Sequence, residues 1–81
     1  MKEQHLAYFR DIGMSRAAIS RAIDLHDLLQ RVSPIDVEDV FVNDIISEEG
    51  VRTQESLWLF GENRVSEFKN MLTVVNFDFL N

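Results

Sequence analysis

Leu6, Phe9 and Ile12 recur at three-residue steps in a polar background, and this spacing predicts a short helix from about Glu3 to Ile12. Gly13 ends it. Ser15 is placed to cap a second helix, which nothing interrupts before Ser33-Pro34, because the residue before a proline is pushed out of the helical region. On a wheel, Ala18, Ile19, Ala22, Ile23, Leu25, Leu29 and Val32 fall on one side, with Arg16, Ser20, Asp24, Asp27 and Arg31 opposite. The second helix is therefore expected to be amphipathic, with Asp27 four residues before Arg31 in the order that favours an ion pair.

The period changes after Pro34. "IDVEDVFVNDII" is rich in β-branched residues with apolar positions on both parities, which predicts a well-covered strand or one bulged near Asp39. "SEEG" reads as a turn, and "VRTQESLWLF" begins polar and ends in four apolar residues, as in a strand buried on both faces at its end. After the turn "GEN", the stretch 64–72 is ambiguous: Val65, Phe68, Met71 and Leu72 have helical spacing, while the tight turn before them favours a hairpin partner, and a strand is the preferred reading. "VNFDFLN" alternates Val75, Phe77 and Phe79 with Asn76 and Asp78, a final strand with its apolar residues on one face. The expected fold is α+β, an N-terminal helical hairpin (1–33) packed on a small antiparallel sheet of three or four strands (34–81), in a single domain.

Composition narrows the class. Eighty-one residues, 46% apolar and 27% charged, describe a globular chain with room for one core, burying roughly 60% of the surface its unfolded form exposes. No cysteine is present to staple it or bind a metal as thiolate. The start lacks the apolar run of a signal peptide and nowhere are there 18 consecutive apolar residues, so a cytoplasmic location and no membrane partner are expected. The net charge of −6 is unevenly spread: residues 1–32 hold five basic and four acidic side chains, residues 33–81 three basic and ten acidic. A polyanion would be repelled by the second part and tolerated by the first.

The stretch "GMSRAAISRAI", residues 13–23, resembles the turn and second helix of the helix-turn-helix family of DNA-binding proteins, over about residues 5–24. Gly13, Met14, Ser15, Ile19 and Ile23 follow the order of glycine, small apolar residue, cap and inward apolar positions, and Ile12 matches the apolar residue before the turn. That resemblance implies that Ser15, Arg16, Ala17, Ser20 and Arg21 would face DNA, the arginines meeting guanine edges or phosphates and the serines phosphates. An amphipathic helical hairpin with glycine as a helix stop accounts for the same residues without any nucleic acid.

Other chemistry is sparse. His26, near the middle of the apolar arc, reads as a half-buried ring with one hydrogen bond, and His5 has no stronger claim. Two isolated histidines make no zinc site, "DVED" and "SEEG" read as solvated acidic turns, and no nucleophile elbow, phosphate loop or dinucleotide fingerprint occurs. No catalytic residue, metal or cofactor is expected. The preferred reading is a non-enzymatic, regulatory domain acting through protein contacts, with DNA binding as the alternative and an acidic inhibitor imitating nucleic-acid charge as a lesser one. Among the aromatic residues of the second part, Phe41, Trp58, Phe60, Phe68, Phe77 and Phe79, most are expected in the core. Val75, Phe77 and Phe79 are candidates for self-association, since a last strand tends to lie at a sheet edge and this one carries only Asp78 to protect it; a homodimer would be the result.

Overall fold

The computed structural model of the chain describes residues 1–46, 49–50, 52–70 and 73–78, with the side chains of 44–46, 52–55, 73–74 and 78 left aside. Two compact units follow one another, Met1–Ile35 and Asp36–Asn81, and the architecture is α+β: two helices, then a four-stranded antiparallel sheet. Among the described residues no helix is long and apolar enough to cross a membrane.

In the first unit, α1 (Glu3–Asp11) and α2 (Arg16–Val32) are joined by a turn built on Gly13, whose φ of 81° lies in the left-handed region where a Cβ is costly. The Gly13 and Met14 amides donate to Arg10 and Phe9 carbonyls at 2.9 and 3.0 Å, closing the end of α1. Ser15 caps α2, its Oγ accepting from the Ala18 amide at 3.1 Å. Phe9 is fully buried, as is Ala22, with Met14, Leu25 and Leu29 close to it in burial. Val32 departs from the expected apolar arc, being 72% exposed, because it sits at the last residue of α2 where the covered stripe has run out. At that end Ser33 leaves the helical region (ψ 77°), and Gln30 clasps the departing chain with both amide atoms: Nε2 donates to the Ile35 carbonyl at 2.6 Å and Oε1 accepts from the Ile35 amide at 3.1 Å.

The second unit is a meander, β1 (Asp39–Ile46), β2 (Arg52–Phe60), β3 (Arg64–Lys69) and β4 (Thr73–Asp78), hydrogen-bonded in chain order. Residues 64–69 are a strand, as the hairpin argument favoured over the helical spacing. The turn after β2 is closed by the Gly61 amide donating to the Arg64 carbonyl at 2.8 Å, and the turn after β3 places Asn70 at φ 54°, a conformation asparagine tolerates better than most residues. The bulge is not near Asp39: pairing there is regular, and the Glu38 amide continues it to the Phe60 carbonyl at 2.7 Å. It lies between Asn43 and Asp44, which pair with Ser56 and Gln54 and leave Glu55 as the extra residue. Apolar residues occupy both parities of β1 for a different reason, which is that both faces of the sheet carry apolar side chains.

The two faces differ in kind. Register places Val40, Leu59 and Ser66 in one cross-strand row and Val42, Leu57 and Phe68 in the next, and all six are buried. Ser66, with no exposure, is satisfied by a hydrogen bond to Asn76 Oδ1 at 2.5 Å. The opposite face carries Phe41, Trp58, Glu67 and Val75 in one row and Asp39, Phe60, Val65 and Phe77 in the next.

Candidate functional site: the aromatic face of the sheet

Alternation decides which residues reach this surface. In β1 the aliphatic Val40 and Val42 flank Phe41, and in β2 Leu57 and Leu59 interleave with Trp58 and Phe60, so a period of two sends aliphatic side chains to the buried face and aromatic ones to the other. Phe77 reaches the same surface from β4, two strands away from Trp58. Its ring centroid lies 6.1 Å from that of the indole, with an interplanar angle of 16°; Phe60 lies 6.4 Å away on the other pairing, at 18°. Three near-parallel rings therefore form one array over Val65, which they leave only 5% exposed.

The array is open to solvent. Phe41 is 48% and Phe77 45% exposed, and Trp58 and Phe60 are half-buried. Between them lies a shallow depression of about 500 Å³ lined by Phe41, Trp58, Phe60, Val65 and Phe77, with no polar side chain among its walls. Covering the open half of one phenylalanine, about 100 Å² at roughly 25 cal/mol/Å², is worth roughly 2.5 kcal/mol. Four aromatic residues thus share one solvent-facing surface.

At one end the character changes. Glu67 pairs directly with Trp58 on one side and Val75 on the other, so its carboxyl group starts from the centre of the face, and the residue is only 9% exposed. With Asn43, Ser56, Lys69 and Asn70 it lines a polar groove adjoining the rings. Among the described residues its carboxylate has no hydrogen-bond or ion-pair partner. The second unit carries three basic and ten acidic side chains, a net charge of −7.

The residues singled out in the sequence fall in three places. Val75 and Phe77 lie on this face, and β4 is an edge strand, as expected of them; Phe79 lies outside the described residues. Ser15, Arg16, Ala17, Ser20 and Arg21 are all exposed, on the first turns of α2. Two features set this hairpin apart from the family pattern: fully buried Phe9 stands where a small alanine usually lets the helices approach, and no third helix follows among the described residues. His26 is a half-buried ring, 13% exposed in its side chain, with Nδ1 3.1 Å from Asp27 Oδ1 and Nε2 3.3 Å from Gln30 Nε2. Asp27, expected to reach Arg31, thus lies against His26.

The expectation that most aromatic residues are core is overturned. Of those described in the sheet, Phe68 alone is in the core, at 2% exposure, and Trp58 and Phe60 show that β2 is buried on one face at its end and not on both. A run of four apolar residues suits a strand covered on both sides, but an antiparallel meander can leave one side to solvent. Aliphatic and aromatic residues take opposite parities in β1 and β2, a sorting that the chain displays but that does not by itself say which face is covered. Glu67 escaped notice because a lone glutamate in a strand carries no pattern of its own.

Comparison of the chain with protein-family models, characterised proteins and solved structures returns no match.

Proposed function

We propose that this chain is a non-enzymatic interaction domain whose working surface is the aromatic face of its sheet, engaged by a protein partner. The observation that carries this reading is the grouping of Phe41, Trp58, Phe60 and Phe77 on one face, two of them close to half exposed. Interface cores are enriched in tryptophan and phenylalanine and ringed by polar groups, and here the apolar walls adjoin a polar groove on a unit of net charge −7. The wholly apolar lining of the depression supports binding over catalysis, since proton transfer and nucleophilic attack both need polar groups at the reacting atoms. An aromatic sheet surface also suits stacked nucleobases, but such platforms work within a positive groove, and a unit of net charge −7 opposes the phosphates.

A displayed peptide library, selected on the intact protein and counter-selected on a Phe41→Ser/Phe77→Ser variant of unchanged circular dichroism, tests the reading. Sequences that bind the first and not the second are expected. Failure to enrich any, or equal binding to both proteins, would remove the face as an interface.

A second reading has one observation in its favour: Ser15, Arg16, Ala17, Ser20 and Arg21 are exposed together beside a glycine turn. If α2 reads DNA, Arg16→Ala and Arg21→Ala weaken duplex binding and affinity falls steeply with salt. No retardation of duplex DNA at tens of micromolar protein in low salt would eliminate it, since even nonspecific binders are retarded there.

A further inference from the structure

We infer that the occupant of the aromatic face is a cationic polypeptide segment that presents arginine, its guanidinium stacked on the Trp58 array and hydrogen-bonded to the Glu67 carboxylate. This rests on the reading of that face as an interface and names the chemistry it selects.

The first argument is the pairing of a π surface with a carboxylate. Glu67 sits directly across from Trp58, and the Phe60 and Phe77 rings stand near-parallel to the indole at 6.4 and 6.1 Å. Guanidinium is the cation suited to both at once: planar, weakly hydrated, able to lie on an aromatic face and to donate two hydrogen bonds to one carboxylate. A lysine ammonium is more strongly hydrated and lacks the planar fork, so it gains less from the same site. Glu67, whose carboxylate is unpaired among the described residues, stands to gain from a donor brought by a partner. Lys69, exposed two residues further along β3, lies in the same groove and is the one described cation with which an incoming arginine must share it.

The second argument is charge. A net −7 on the sheet unit draws a cationic segment towards the unit and disfavours the other occupants that an apolar face admits. A second copy would bring its own −7 into contact, and a nucleic acid its phosphates. The apolar walls call in turn for aliphatic residues between the arginines, to fill the depression beside Val65.

Trp58 is the only tryptophan of the chain, so its fluorescence reports on this face alone. The intact protein is titrated with a short synthetic peptide in which arginine alternates with valine, and with lysine and glutamate counterparts of equal length. Saturable change with the arginine peptide, weaker binding of the lysine peptide and none of the glutamate peptide are expected. Glu67→Gln should weaken the arginine peptide by about tenfold, the order set by one charge-assisted hydrogen bond. Phe77→Ser, at an exposed ring, should weaken it as well in a protein of unchanged circular dichroism. No saturable response to the arginine peptide, equal affinity for the glutamate peptide, or indifference to Glu67→Gln each overturns the inference, as does a Trp58 signal that changes with protein concentration alone, which assigns the face to a second copy. Should the library selection succeed with neutral or acidic sequences, the interface stands and the preference for arginine falls.

Discussion

Two phenylalanines in the same small sheet face opposite sides, one on the inner strand β3 and one on the edge strand β4, and substitution should separate them. Phe68 is 2% exposed on the buried face, so Phe68→Ala should cost about 3–5 kcal/mol, a large share of the stability of a domain this small. Phe77, 45% exposed, should tolerate Phe77→Ser with a loss below about 1.5 kcal/mol in urea unfolding, since a surface ring has little cavity to leave behind. Equal losses would mean that the rings of the open face are part of the core. At the helix turn, Ser15→Ala should cost about 1 kcal/mol through the bond from the Ala18 amide, and Gly13→Ala a similar amount through its positive φ. Both are read from thermal melts, and no change in either would show that the turn does not hold the hairpin. His26→Leu, by contrast, removes a ring that meets Asp27 and Gln30, so the gain from an added apolar side chain is offset by the loss of those contacts.

Elements of strong period were legible in the chain, and faces were not. Ser15 and Ser33-Pro34 bound α2 at both ends because a cap and a proline act locally, within the backbone they interrupt. The strand assignment of β3 rested on the turn before it, which outweighed the helical spacing of Val65 and Phe68. Which side of β2 is buried depends on what covers the sheet, and that is a tertiary property: Trp58 and Leu57 are equally apolar as letters, but one is half-exposed and the other fully buried. Val32 erred in the same way, since a wheel has no ends and a helix does. The exit of α2 illustrates a contact that no pattern predicts, the two-handed grip of Gln30 on the Ile35 backbone; Gln30→Ala should therefore lower stability by about 1–2 kcal/mol in chemical denaturation, where an exposed glutamine would be neutral.

At the scale of the whole molecule, an apolar face on an acidic unit combines attraction at short range with repulsion at long range. The repulsion extends over roughly 8 Å at physiological ionic strength and roughly 3 Å in molar salt, so the mass by light scattering should be that of a monomer in the first condition and rise in the second. Phe77→Glu should abolish that rise and leave a folded chain, because the ring it replaces is 45% exposed on the edge strand β4. A stable dimer at physiological salt would assign the face to self-association through Val75 and Phe77. All of this depends on one property, that the ring array is open to solvent in the free protein, and the most direct measurement is acrylamide quenching of Trp58 in the monomer. An open face predicts quenching well above that of a buried indole, and a further increase on Phe77→Ala, which removes the ring 6.1 Å from it. Quenching at the level of a buried indole, unmoved by Phe77→Ala, would contradict the open face and with it the proposed interface.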